Sequence, residues 1–420
     1  MLKIIFLKFH YQFKKNAIFA EKCKSKIKMT EIELFFSPVE QDILDAFEDV
    51  PGHKIGSKIR LHTVGNFPDL KNVKIALIGV EEDRNAYNNK NCSLAPDVIR
   101  RCFYQLYHQE GMPQIADLGN LKTGKQPNDT YTALSEIMAD LIADDIIPVI
   151  LGGSQDITYA NYLAYEKLNR ITNIVSIDSQ FDIGRENEPL RSNAYINRII
   201  LRQPNFLFNY SNIGYQTYLV DPSEIELMDK LLFDTHRLGL ARMDLIECEP
   251  IIRNADMLSL DVSAIRFSDS PGCKNVTPNG FFGHEICKMA QLAGVSDKLS
   301  SFGIYEYNPT CDIASQSGML IAEILWYFID GVSIRKHDIP NFAKNNFYKY
   351  FVSLHENAYE IVFYKSKDSG LWWMEIPIDN AESSKYSRHY MVPCSSKDYE
   401  IACSNEIPER WLQTYKKIKM

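Results

Sequence analysis

From residue 72 to about 330, short continuous apolar runs alternate with stretches whose apolar positions recur at helical spacing. Val73–Val80 (VKIALIGV), Gln114–Leu118, Ile146–Leu151, Ile174–Asp178 and Met257–Val262 read as strands with apolar residues on both faces. Helices are predicted from Pro96 to about His108, then at Tyr131–Ala143, Ile157–Leu168, Pro222–Leu232, Gly283–Leu292 and Ala314–Ile329. Strands apolar on both faces need cover on both sides, so the pattern predicts an α/β class with a central, mostly parallel sheet between helical layers. After about Asp338 the pattern changes. Ile361–Tyr364 and Leu371–Ile376 flank the turn residues KSKDSG and predict a hairpin within a small α+β C-terminal extension. The expected organisation is a basic segment 1–28, an N-terminal extension 29–71, the alternating body 72–335 and the extension 336–420.

Charge changes the picture at the N-terminus alone. Residues 1–28 carry eight lysines against one acid, Glu21, and the lysines interrupt every apolar stretch. A translation start drawn upstream of Met29, or a basic tail, fits this better than a targeting peptide. Without those residues 38 basic side chains face 53 acidic ones, a net charge of −15. Such a body has no basic stripe for nucleic acid. Nine cysteines without a CxxC pair fit reduced thiols in the cytoplasm. No apolar run reaches the roughly 18 residues that span a bilayer.

In open α/β sheets, sites form at the carboxyl ends of strands. Three such ends are unusual here: Gly152-Gly153-Ser154-Gln155-Asp156, Asp178-Ser179-Gln180-Phe181-Asp182, and Asp261-Val262-Ser263. Three aspartates on one sheet edge repel one another unless a cation, protons or a basic side chain neutralises them. A Gly119…Gly124-Lys125 spacing follows a strand, but Gln126 stands where a phosphate loop needs Ser or Thr, and Pro127 follows. Trp372-Trp373 reads as hairpin packing, or as a partner-binding patch if exposed.

The three strand-end segments resemble the ureohydrolase (arginase, agmatinase, formimidoylglutamase) signatures GG[DN]HS, DAHxD and SxDxDxxxP, in that order. The segments LIGVEEDRN…LAPDVIRRCFYQL, IADLGN, PNGFFGHE and FGIYEYNPTCD resemble other parts of that family, so the likeness spans roughly residues 73–330. It implies a three-layer arginase-like fold. It also implies chemistry in which two divalent ions, usually manganese, share a hydroxide that attacks a guanidine or amidine carbon. By this resemblance the first ion would take Gln155, Asp178, Asp182 and Asp261; the second would take Gln180, Ser263, Asp178 and Asp261. The imidazoles expected at 155 and 180 and the carboxylate expected at 263 are thus replaced, and Arg191–Tyr195 offers no histidine for proton transfer. Glu285, after His284, matches a carboxylate that pairs with the substrate cation.

The expectation is therefore a catalytically silent ureohydrolase-like protein serving as a binding or scaffold module. It would need no cofactor, or at most one divalent cation (Mn or Mg). A protein partner is expected, with a guanidine or amidine as the alternative ligand and a homo-oligomer as the family's usual assembly. Two other functions stay open: a metal-dependent hydrolase of linear amidines, and a sensor that binds them without chemistry.

Overall fold

The computed structural model describes residues 29–46, 52–185, 188–340, 346–354, 359–379 and 385–419. The basic segment 1–28 lies outside them. Ten strands form the main sheet: β1 Phe36–Ser37, β2 Arg60–Leu61, β3 Ile75–Val80, β4 Ile115–Leu121, β5 Ile147–Leu151, β6 Thr172–Ile177, β7 Leu207–Tyr215, β8 Asp234–Arg237, β9 Met257–Asp261 and β10 Ser301–Tyr305. Their order is β1-β4-β3-β5-β10-β9-β6-β7-β8, with β2 beside β4; every pairing is parallel except β1 on β4. The segment before residue 72 thus extends the main sheet through β1 and β2.

Alternate residues of one strand feed different cores, which is why the apolar runs are continuous. Ile75 and Leu77 of β3 pack with Ile99, Ile286 and Ile321 on one face, from the helices Ala95–Phe103, Gly283–Val295 and Gln316–Ser333. Ala76, Ile78 and Val80 pack with Leu134, Ile137 and Ala160 on the other, from the helices Pro127–Ala143 and Ile157–Lys167. The helix predicted to run to His108 ends at Phe103. The one predicted from Tyr131 starts at Pro127, where Pro at the first turn and Asp129, accepting from the Gln126 N–H at 2.9 Å, supply the cap.

Strand β7 is not visible in the hydrophobic pattern. Its nine residues are all buried, yet Asn209, Ser211 and Asn212 are polar. Asn209 Nδ2 and Ser211 Oγ both donate to Asp234 on β8, at 2.6 and 2.9 Å, so the pair satisfies internally what an apolar strand would not carry. Gly119, the first glycine of the phosphate-loop-like spacing, lies inside β4 with φ +81°, and a Cβ there would meet the Ser37 carbonyl at 2.0 Å. The glycine serves strand approach.

Beyond the main sheet, β11 Phe347–Leu354, β12 Tyr359–Ser366, β13 Trp372–Glu375 and β14 Met391–Cys394 form an antiparallel sheet in that order, the β12–β13 pair being the predicted hairpin. Trp373 is buried, and Trp372 stacks on Tyr350 and Tyr399, so the tryptophan pair is packing. No helix among the described residues is long and apolar enough to cross a membrane.

The last helix, Glu409–Lys419, brings Lys417 onto β7, where its ammonium donates to Asn209 Oδ1 in a buried setting near Asp234. Burial pulls its pKa from 10.5 down to about 8. The unfolded chain therefore holds this proton more tightly than the folded one. The penalty is full below pH 8 and is relieved as pH rises towards 10.5. Lys417→Met should stabilise the protein below pH 8, and that gain, on the order of 3 kcal/mol at its largest, should fade by pH 10.5. Denaturant unfolding of both proteins across this range checks it; a gain independent of pH would refute the assignment.

Candidate functional site

Four neighbouring strands, β5, β10, β9 and β6, end side by side, and each delivers polar groups to the same edge. Register fixes the arrangement: Ile177 pairs with Leu260, so Asp178 and Asp261 leave adjacent strands together, and Tyr305 pairs with Asp261, which places Glu306 next to them. After β5 the chain turns through Gly152 and Gly153. A Cβ on Gly153 would meet the carbonyls of Glu82 and Val80 at 2.8 and 2.9 Å, so only glycine permits this turn to present Gln155.

Carboxylate oxygens of Asp178, Asp182 and Asp261 lie within 4.8 Å of one another. The three predicted aspartates are brought together, and all are buried, as is Gln155. Gln155 Nε2 donates to Asp178 Oδ2 at 2.7 Å, while the Gln180 N–H donates to Asp178 Oδ1 at 2.9 Å. Asp261 Oδ1 accepts from the Ser263 N–H at 2.6 Å, and Ser263 Oγ lies 3.4 Å from Ser179 Oγ. Gln155 Oε1 is buried without a hydrogen-bond partner.

Burial pushes the pKa values of Asp178, Asp182 and Asp261 up, and the Asp178 charge raises the other two further. Among the described residues, the buried and half-buried ion pairs of Lys and Arg go to other acids, such as Asp117, Asp256 and Glu285. What relieves such a cluster is shared protons or a hard cation, and three carboxylate oxygens at this spacing can hold one.

Glu306 is a fourth carboxylate, one to which the sequence pattern assigns no role. It is 2 % exposed, and its charge raises Asp182 and Asp261. Its own pKa is lifted by burial. Oε1 accepts from the Gln155 N–H at 2.9 Å and Oε2 from Asn89 Nδ2 at 2.8 Å, with the Glu306 backbone in the left-handed region at φ 66°. A signal for it exists in the chain: a further strand, Ser301–Tyr305, ending on the same edge.

Glu285 is not part of this group. It occupies the first turn of the helix Gly283–Val295, where one oxygen accepts from the Phe282 N–H at 2.7 Å and the other from Arg242 Nε at 3.1 Å. Both oxygens are used in capping and ion pairing.

Comparison with known proteins adds to this geometry. The model of the arginase family matches residues 73–330. Formimidoylglutamase of Staphylococcus haemolyticus is 25% identical over 284 residues, covering 63% of this chain and 89% of that protein. The Staphylococcus aureus formimidoylglutamase is 25% identical over 267 residues, covering 61% and 85%. Among solved structures, formimidoylglutamase from Bacillus subtilis superposes with a TM-score of 0.61 at 20% identity, covering 69% of this chain and 94% of that one. Trypanosoma cruzi formiminoglutamase with Mn2+ superposes with a TM-score of 0.60 at 17% identity, covering 67% and 99%.

Proposed function

The chain belongs to the arginase family, and from that premise we propose that it is a catalytically silent member, a binding or scaffold module whose acidic cluster takes at most one divalent cation. The observation that carries this reading is the donor set at the strand ends. Gln155 aims an amide N–H at Asp178 Oδ2, the carboxylate that two ions would have to share. Gln180 and Ser263 offer only a neutral amide and a hydroxyl, which are weak ligands for a borderline ion.

One hard cation, manganese or magnesium, fits the residues present. Asp178, Asp182 and Asp261 would hold it, with Gln155 contributing the Oε1 that is buried without a partner. It would neutralise the cluster and tie three loops together. Two ions do not fit, because the second would rest on the two shared carboxylates alone.

A second reading, hydrolysis of a linear amidine, is favoured by the surviving carboxylates with Glu306 beside them and by the formimidoylglutamases among its relatives. The sensor reading loses its anchor, since Glu285 already pairs with Arg242.

Metal content by mass spectrometry, after incubation with excess manganese and desalting, separates the first two. Zero or one ion per chain, with no formamide or urea released from formimidoylglutamate, agmatine or arginine, is the expected result. Two ions, or turnover on any of these substrates, would overturn the silent assignment.

A further inference from the structure

Between β8 and β9 the chain carries a prong of exposed carbon. Leu240, Met243 and Ile246, from the short helix Leu238–Met243 and the turn Leu245–Glu247, are 63, 84 and 77 % exposed. A single such side chain on a surface is ordinary; three within seven residues mark a contact surface. Leu238 and Leu245 of the same stretch pack on the main core, so the backbone that presents the prong is anchored.

A groove of about 560 Å³ opens beside the first turn of the helix Gly283–Val295. His284, Met319 and Leu320 line it together with Asp269 and Glu323. Phe267 and Ile313, both exposed, stand next in the chain to its lining residues Ser268 and Ala314. The same first turn joins prong and groove. Glu285 pairs with Arg242 of the prong helix, and that guanidinium lies 4.2 Å over the ring of Phe282, on which His284 stacks.

The charges of the two surfaces are paired within the chain, with one exception on each. Beside the prong, Arg242 pairs with Glu285, Asp244 with Lys397 and Glu247 with Arg410. In the groove, Asp269 pairs with Arg266 and accepts from the Gly283 N–H at 2.9 Å. Among the described residues, Arg237 at the start of the prong helix and Glu323 in the groove are exposed and enter no ion pair. The prong thus offers apolar side chains with one open cation, and the groove apolar side chains with one open anion.

We propose that the groove receives the prong of a second copy of this chain. Met243 and Ile246 pack on Met319 and Leu320 of the partner subunit, and Arg237 faces Glu323 of the partner subunit. Because both surfaces flank one helix turn, the contact is made twice across a two-fold axis or repeated around a closed ring. Burial of the exposed apolar side chains supplies the attraction. The opposed charges fix the orientation, and they act against the long-range repulsion between two acidic bodies. The contact stands whether or not the acidic cluster holds a metal.

Sedimentation velocity of the full chain at about 10 µM, enough to populate a contact of micromolar Kd, should show an oligomer. Met243→Asp with Ile246→Asp, on the prong, and Met319→Asp, in the groove, should each leave a monomer with an unchanged circular dichroism spectrum, since all three positions are exposed. Arg237→Glu and Glu323→Arg should each weaken association at least about tenfold, and the two together should restore it to within about threefold. A merely adhesive apolar patch would show no such rescue. A monomeric unaltered chain, an oligomer that survives the prong and groove variants, or charge reversals that fail to rescue each other would overturn the proposal. So would an oligomer lost on Phe351→Asp, at the exposed edge strand of the C-terminal sheet, but kept by the prong variants.

Discussion

Replacing Gln155→His, Gln180→His and Ser263→Asp together should raise the manganese bound after desalting from at most one ion per chain to two. Asp178 and Asp261 already leave adjacent strands on one edge, with Asp182 beside them, so the carboxylates around which two ions would assemble are in place. What the present residues lack is charge and basicity at three positions. An imidazole at position 155 removes the amide N–H now donated into Asp178. A second imidazole at position 180 and a carboxylate at position 263 would give the second ion ligands of its own. Even supporting groups around a metal are worth about 10–100-fold in affinity, and direct ligands should be worth no less. Binding should also appear as stability: an ion at about a thousand times its Kd adds roughly 4 kcal/mol. Mass spectrometry and thermal unfolding with and without manganese measure both. A restored protein that folds yet takes up no second ion would show that these three positions were wrongly aligned with the family's ligands.

The second large effect is structural. Asp117→Asn should cost about 3–5 kcal/mol in denaturant unfolding, because it takes from a buried guanidinium its one fully buried counter-charge and leaves only Asp97, at 3.1 Å from Nη1 and partly exposed, to oppose it. Arg100 and Asp117 are both fully buried. Arg100 Nε and Nη2 each donate to an Asp117 oxygen at 2.9 Å, Tyr104 OH donates at 2.7 Å and the Gly119 N–H at 2.9 Å. This one carboxylate ties the helix Ala95–Phe103 to β4, so four donors lose strength at once. Removing Glu226 from its exposed pairing with Lys230 should change stability little by comparison, since solvent already serves both groups. A loss for Asp117→Asn no larger than that for Glu226→Gln would refute the account.

The hydrophobic pattern by itself determined the strands β3, β5, β6 and β9 and the α/β class, because strands covered on both faces must be apolar at every position. It also determined where the acidic cluster would lie, since Asp178 and Asp261 each close an apolar run and Asp182 follows within one loop. That Gln155, Gln180 and Ser263 stand beside these aspartates was equally legible, being a matter of residue identity; that they stand in place of metal ligands belongs to the proposed reading.

Tertiary structure alone decided the rest. Strand β7 was hidden because its polar residues are satisfied by Asp234, a partner more than twenty positions away that no local pattern can supply. Glu306 joined the site through the pairing of Tyr305 with Asp261, a register set between strands and not along one. Glu285 was committed elsewhere by Arg242, which the sequence places 43 residues before it. In each case a polar group's role was fixed by whichever partner folding brought within about 3 Å, and a chain read in order shows the groups but not those distances.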